Sequence, residues 1–207
     1  MIEMKKALVM KKLGMMQVFN SEGEVEKVTA LLALENYILR KKSVDVDGYS
    51  ALVVAYSSVK EEKLSMPERG TFKESKKYFR KLTELRLNNS SEAEVGTNLA
   101  VTIFIENEKV NVKGNTKGRG FTGCIKRHNF TIGPISHGSK HHRRGGSNGA
   151  GTGQGHVWKG QKMPGRYGNE TITVKNLKII KVLQEKNIIL VKGSVPGMTG
   201  QILKVFN

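Results

Sequence analysis

A mainly β fold is predicted for this 207-residue chain, with a closed β-barrel body, a small α-containing insert and a long irregular basic extension. Three observations predict it. Short β-branched or apolar runs of strand length recur on both sides of the chain's middle, separated by turn residues. Between Pro67 and Leu87 the pattern changes, and Phe72, Tyr78, Phe79 and Leu82 recur at roughly helical spacing among lysines. From Lys109 to Asn169 there is no Asp or Glu at all.

The strand candidates, in order, are Leu8-Val9-Met10, Val28 to Leu34, Ala51 to Ala55, Val101 to Ile105, Leu177 to Leu183, Ile188 to Val191 and Ile202 to Phe206. Ser21-Glu22-Gly23 and Gln184 to Asn187 have the polar, glycine- or asparagine-containing composition of hairpin connections. Several short strands of this kind suggest a closed or nearly closed barrel. Too few residues follow Thr171 for a second domain, so that segment is expected to complete the same barrel. The body is therefore expected at residues 1–113 and 169–207, with the insert at about 60–95 and the extension at 114–168. Met15, Met16, Phe19 and Tyr49 read as core or turn residues, and Cys124 as a small packed one.

The extension is made of different material from its flanks. Lys109 to Asn169 holds twelve Lys and Arg, against twenty-three in the rest of the chain, where all eighteen acids lie. It also holds fifteen of the twenty-three glycines, all five histidines, the only Trp and the only Cys. The run Gly145 to Gly155 has almost nothing to bury, and glycine loses more backbone entropy on ordering than any other residue, so alone it should be disordered. A plain linker would not carry clustered Arg, His and Trp. A polyanionic partner accounts for the net charge of +17, and structured RNA fits better than a membrane. Lys117, Arg119, Lys126, Arg127, Lys140, Arg143, Arg144, Lys159, Lys162 and Arg166 are candidate phosphate contacts. His137 and His142 are candidate phosphate or base contacts, and glycines would let backbone amides approach the ligand. Trp158 and Tyr167 are candidate stacking residues; Trp158 and Val157 could instead tuck against the extension's own base as a local staple.

Other chemistries fit less well. Gly118-Arg119-Gly120-Phe121-Thr122-Gly123 matches a dinucleotide-binding string, but no acid stands about 20 residues on, where a Rossmann site needs one. His137, His141, His142 and Cys124 lack the paired short-spaced ligands of zinc sites. A nuclease would show carboxylates, and the most distinctive stretch has none. A free-standing RNA chaperone would be expected to repeat its motifs, and no repeat is visible. The apolar runs are far shorter than the roughly 18 residues of a membrane span, and Ala7 to Met10 is too short for a signal peptide, so a cytoplasmic location is expected. A single cysteine suits a reducing compartment.

Many ordered segments also match a known family: Lys11-Lys12-Leu13-Gly14-Met15, Asp47-Gly48-Tyr49 and Thr116 to Gly123, then His137-Gly138-Ser139, His142-Arg143-Arg144, Val157 to Gly160, Lys162 to Asn169, and Val191-Lys192-Gly193 with Pro196-Gly197. Over essentially its full length the chain resembles the bacterial large-subunit ribosomal protein L-three family. The resemblance implies a translation-protein-like barrel at the subunit surface and a long loop threaded into large-subunit rRNA toward the peptidyl-transferase centre. It places Ser147, Asn148, Gly149, Ala150, Gly151, Thr152, Gly153 and Gln154 at the loop tip. It further implies an early assembly role without enzymatic activity, rRNA and neighbouring large-subunit proteins as partners, and neither cofactor, metal nor small-molecule substrate. The tip departs from the family pattern at Gly145, Asn148 and Gly153-Gln154-Gly155, so a methylated glutamine found in some relatives does not carry over to Gln154.

Overall fold

The computed structural model describes residues 6–20, 22–73, 75–86, 94–151 and 155–207. The chain divides into two compact units, Met1–Asn115 with Thr171–Asn207, and Thr116–Glu170. The first contains β1 (Ala7–Phe19), β2 (Val25–Ala33), β3 (Asn36–Lys42), α1 (Val44–Asp47), β4 (Ala51–Ser58), α2 (Met66–Thr71), β5 (Phe79–Leu85), β6 (Asn98–Leu99) and β7 (Lys109–Asn115). The second contains β8 (Gly120–Thr122), α3 (Cys124–His128) and β9 (Gly165–Tyr167). The chain then returns to the first unit as β10 (Thr171–Leu183), β11 (Ile188–Lys192) and β12 (Ile202–Phe206). No helix of the described residues is long and apolar enough to cross a membrane.

Six antiparallel strands close a barrel in the order β1-β12-β7-β10-β11-β2. The period of two explains its interior: Leu8 and Met10 on β1, Val110 and Val112 on β7, and Leu203 and Val205 on β12 all point inward into one buried cluster. Register shifts at Lys12/Gly14, Val174/Leu177 and Ile179/Lys181 are bulges, which supply the extra coiling that a small barrel needs. β1 and β2 are joined at Glu22-Gly23 and β10 and β11 at Gln184–Asn187, as expected of hairpins, with Ser21 outside the described residues. In the first, the Asn20 Oδ1 accepts from Glu22 N at 3.0 Å and Glu24 N at 2.8 Å; in the second, Asn187 N donates to Gln184 O at 3.1 Å.

β1 is buried on both faces because its other side is also covered. Ala7, Val9 and the β12 residue Phe206 pack against Ile38, Leu52, Val54 and Leu85 of a second sheet, ordered β5-β4-β3-β6. Where β2 leaves the barrel after Ala33, the fully buried Asn36 takes over its pairing. Its Oδ1 accepts from Val9 N at 2.8 Å, and its Nδ2 donates to Val9 O at 3.1 Å and Leu34 O at 2.6 Å. The side-chain amide thus substitutes for a peptide group, keeping buried backbone satisfied while the chain turns into β3.

Several expectations are corrected. The Ala51–Ala55 run lies in the second sheet and not in the barrel. Val101–Ile103 forms a 3-10 turn and not a strand, because its buried Val101 and Phe104, three residues apart, both pack onto the barrel interior. The helical spacing over Pro67–Leu87 is coincidental. Among the described residues of that stretch only Met66–Thr71 is helical, opened by Ser65, whose N and Oγ both donate to Glu68 Oε2 at 2.9 and 2.8 Å; Leu87 lies outside the described residues. Phe79 and Leu82 lie on β5, and Phe72, Tyr78 and Phe79 meet because the chain folds back, with Phe79 stacked on Tyr37 at 5.4 Å. Met15, Met16 and Phe19 are exposed, since the β1–β2 hairpin runs beyond Lys11, where β12 stops pairing. Tyr49 is half-buried and donates to Glu84 at 2.8 Å, and Glu84 in turn sits 2.8 Å from Lys42.

Candidate nucleic-acid interface

The second unit has a backbone scaffold but almost no core. Among its described residues only Thr122 and Cys124 are buried, and none joins a multi-residue hydrophobic cluster. Its root is tied by Thr116 N donating to Glu170 O at 2.9 Å and Glu170 N donating to Thr116 Oγ1 at 3.2 Å. β8 and β9 then pair antiparallel, Gly120 with Tyr167 and Thr122 with Gly165. At Gly168, with φ at +74°, a Cβ would lie 2.1 Å from the Lys117 carbonyl oxygen, so two backbones approach as only glycine permits.

Beyond this ribbon the chain is held by side-chain contacts to carbonyls. The Arg127 Nη1 donates to Met163 O at 2.8 Å, and His128 Nε2 lies 3.1 Å from the same oxygen. His142 Nδ1 lies 2.9 Å from Pro134 O, which makes that nitrogen the protonated one, because a carbonyl can only accept. Gly133 N donates to His142 O at 3.0 Å, and a Cβ on Gly133 would meet His141 O at 1.9 Å. These contacts fix the backbone and leave the charges outward.

All the candidate cations are exposed except Arg127, which is half-buried. Arg119, on the approach to β8, donates its backbone N to Tyr167 O at 2.9 Å. Lys126 and Arg127 lie on α3, with Arg166 on β9 opposite Phe121. Lys117, Lys140, Arg143, Arg144, Lys159 and Lys162 lie on irregular segments, as does His137, with φ at +59°. Among the described residues no ion pair involves any of them. Trp158 is 61% exposed, with its ring edge-on to His156 at 6.4 Å, and belongs to none of the hydrophobic clusters. Ser147 to Gly151 are exposed, with Gly149 N donating to Ser147 Oγ at 3.2 Å; Thr152, Gly153 and Gln154 lie outside the described residues.

Arg119, Lys126 and Arg143 are brought together around one cleft with Phe121, while Trp158 and Lys159 lie apart from it. Phe121, which composition and spacing do not single out, is 81% exposed. The signal was strand alternation: Thr122 faces inward, so its neighbour must face out, where an aromatic ring ringed by cations can accept a stacked base. The dinucleotide-like string is this β8 turn, and the helix after it has five residues. Cys124 is a buried free thiol. Among the described residues no group of three His, Cys, Asp or Glu side chains could hold a metal ion.

Comparison with known proteins bears on the same region. Residues 80–187 match the family described as Ribosomal protein L3. The chain is 43% identical over 201 residues to the large ribosomal subunit protein uL3 of Carboxydothermus hydrogenoformans, covering 97% of this chain and 96% of the relative. It is 44% identical over 194 residues to that of Heliobacterium modesticaldum (93% and 92%) and 42% identical over 196 residues to that of Prochlorococcus marinus strain MIT 9515 (94% and 90%). With a family match over more than half its length and identity of this size across nearly all of it, the chain belongs to the ribosomal protein L3 family.

Proposed function

We propose that this protein is a structural constituent of the large ribosomal subunit that binds large-subunit rRNA directly through the Thr116–Glu170 arm. One observation carries the reading: ten Lys and Arg share a segment with no carboxylate before Glu170, nearly all are exposed, and its fold has little core of its own. Such a surface would be self-repelling in isolation and is suited to displacing counterions among phosphates. Arg143, Arg144, Lys140, Lys159, Lys162 and Arg166 contact phosphates, and the tip from Ser147 to Gln154 extends toward the peptidyl-transferase centre. The barrel meets neighbouring large-subunit proteins. Binding of this kind helps nucleate subunit assembly. The protein belongs to the bacterial ribosome in the cytoplasm and is not an enzyme.

Sedimentation of tagged protein in a cell lysate tests this. Stoichiometric residence in the large subunit is expected. A free pool alone would refute it and favour an independent RNA chaperone. Binding to an rRNA transcript should weaken with salt at a log-log slope of roughly −0.7 to −0.9 per phosphate contacted, about −4 to −5 for six contacts.

A further inference from the structure

We infer that the barrel body carries a second RNA-phosphate site, a cleft at the root of the arm where Lys81, Lys113 and Lys204 converge on one backbone phosphate. The inference rests on the rRNA-binding reading above and adds a place the arm does not contain.

Three elements supply the lysines: Lys81 on β5, Lys113 on β7 and Lys204 on β12 line one cleft with Asn115, Thr171 and Gln201. Lys113 and Lys204 are direct cross-strand partners in the barrel. Partners in an antiparallel pair hold their Cβ atoms roughly 5 Å apart, and like charges so placed destabilise the sheet. Lys204 is half-buried, and burial together with the Lys113 charge holds its ammonium below the ordinary lysine value, only partly countered by Glu84. One of its three protons goes to the Glu84 backbone carbonyl at 3.0 Å, leaving two for a ligand. The Glu84 carboxylate is already engaged by Lys42 at 2.8 Å and by Tyr49 at 2.8 Å. No ion pair of the described residues involves Lys81, Lys113 or Lys204.

The polar groups beside them also favour an anion. The Asn115 Oδ1 accepts from Thr171 Oγ1 at 2.7 Å, which orients the amide and leaves its two Nδ2 protons for a ligand. Gln201 is held by the backbone, donating to Asn115 O at 3.0 Å and accepting from Met198 N at 3.1 Å, and keeps a second Nε2 proton. The cleft therefore offers donors and positive charge, and a compact anion between Lys113 and Lys204 would offset their repulsion. A phosphodiester is favoured over an acidic side chain by position. Asn115 and Thr171 are paired residues at which the chain leaves and re-enters the barrel, so chain connectivity alone puts the cleft next to the arm's first and last residues.

The test uses the full chain and a labelled transcript of the large-subunit rRNA, with affinity measured across salt concentration. K113Q/K204Q should bind several-fold more weakly at 0.15 M salt, with the log-log slope lowered in magnitude by roughly 0.7 to 0.9, the share of one phosphate. Its thermal midpoint without RNA should be unchanged or higher, because a like-charge pair is removed. K81Q, at an exposed position, should weaken binding in the same direction without touching the barrel wall. If K113Q/K204Q and K81Q keep the native slope while R143Q/R144Q lowers it, the cleft is not a phosphate site and the arm reading stands. If no variant changes a flat salt dependence, the rRNA-binding reading itself falls, and this inference with it. Native transcript binding combined with failure to enter large subunits would make the cleft a seat for an acidic protein and overturn the phosphate assignment.

Discussion

Replacing Asn36 by alanine should be among the most damaging single changes in the body. The side chain is fully buried and makes three hydrogen bonds, one from Val9 N and two to the Val9 and Leu34 carbonyls. Val9 O keeps a second, longer bond from Leu34 N at 3.3 Å, so the truncation strands chiefly the Val9 N–H and the Leu34 carbonyl. A buried backbone group without a partner costs about 1–3 kcal/mol, which gives about 2–6 kcal/mol for the pair. Against a total stability of roughly 5–15 kcal/mol that is a large fraction, and it corresponds to a thermal midpoint lower by at least about 4 °C. Urea unfolding followed by far-UV circular dichroism is the assay, since the only tryptophan lies in the arm and does not report on the barrel. Asn98→Ala, on the exposed residue of β6, serves as control and should stay within about 0.5 kcal/mol. A loss below about 1 kcal/mol for Asn36→Ala would refute the idea that its amide completes the β1 ladder.

Other predictions concern the arm and the acid limit of stability. Trp158→Ala should leave the thermal stability of RNA-free protein almost unchanged while lowering rRNA affinity by an amount worth roughly 1–3 kcal/mol; a large stability loss would place the ring in a protein core. Trypsin acting on RNA-free protein should cut first between Arg143 and Lys162, and protection there without RNA would show that the arm folds alone. Gly168→Ala forces a side chain into the left-handed region and onto the Lys117 carbonyl, so it should weaken rRNA binding about ten-fold or more with no change in the urea midpoint of the body. Hydrogen bonds from Lys42 and Tyr49 hold the Glu84 carboxyl below the ordinary carboxylate value. Its contribution is therefore complete above pH about 4.5 and disappears as the pH falls through the depressed folded value, and Glu84→Gln should flatten that acid limb of the stability curve.

Residue chemistry alone determined the arm, the two hairpins and most of the closing strands. An acid-free, glycine-rich run cannot bury itself, and it keeps that property whatever packs beside it. Val28–Leu34, Leu177–Leu183, Ile188–Val191 and Ile202–Phe206 were legible because β-branched and apolar residues run almost unbroken where a strand is covered. Tertiary structure decided the rest. β7, Lys109-Val110-Asn111-Val112-Lys113-Gly114-Asn115, presents only two valines and a glycine inward, a face too slight to read until its neighbours close the barrel. Val101 and Phe104 plug that interior from a turn, whereas Met15, Met16 and Phe19 stay exposed on the part of the hairpin past the last β12 pair. Hydrophobic pattern says which side of a segment can be buried; only the packing partner, often a hundred residues away, says whether it is. The same separation hid the two basic clefts. Lys113 is paired with Lys204, and Arg119 shares a cleft with Arg143, through strand pairing and chain reversal that no local spacing encodes.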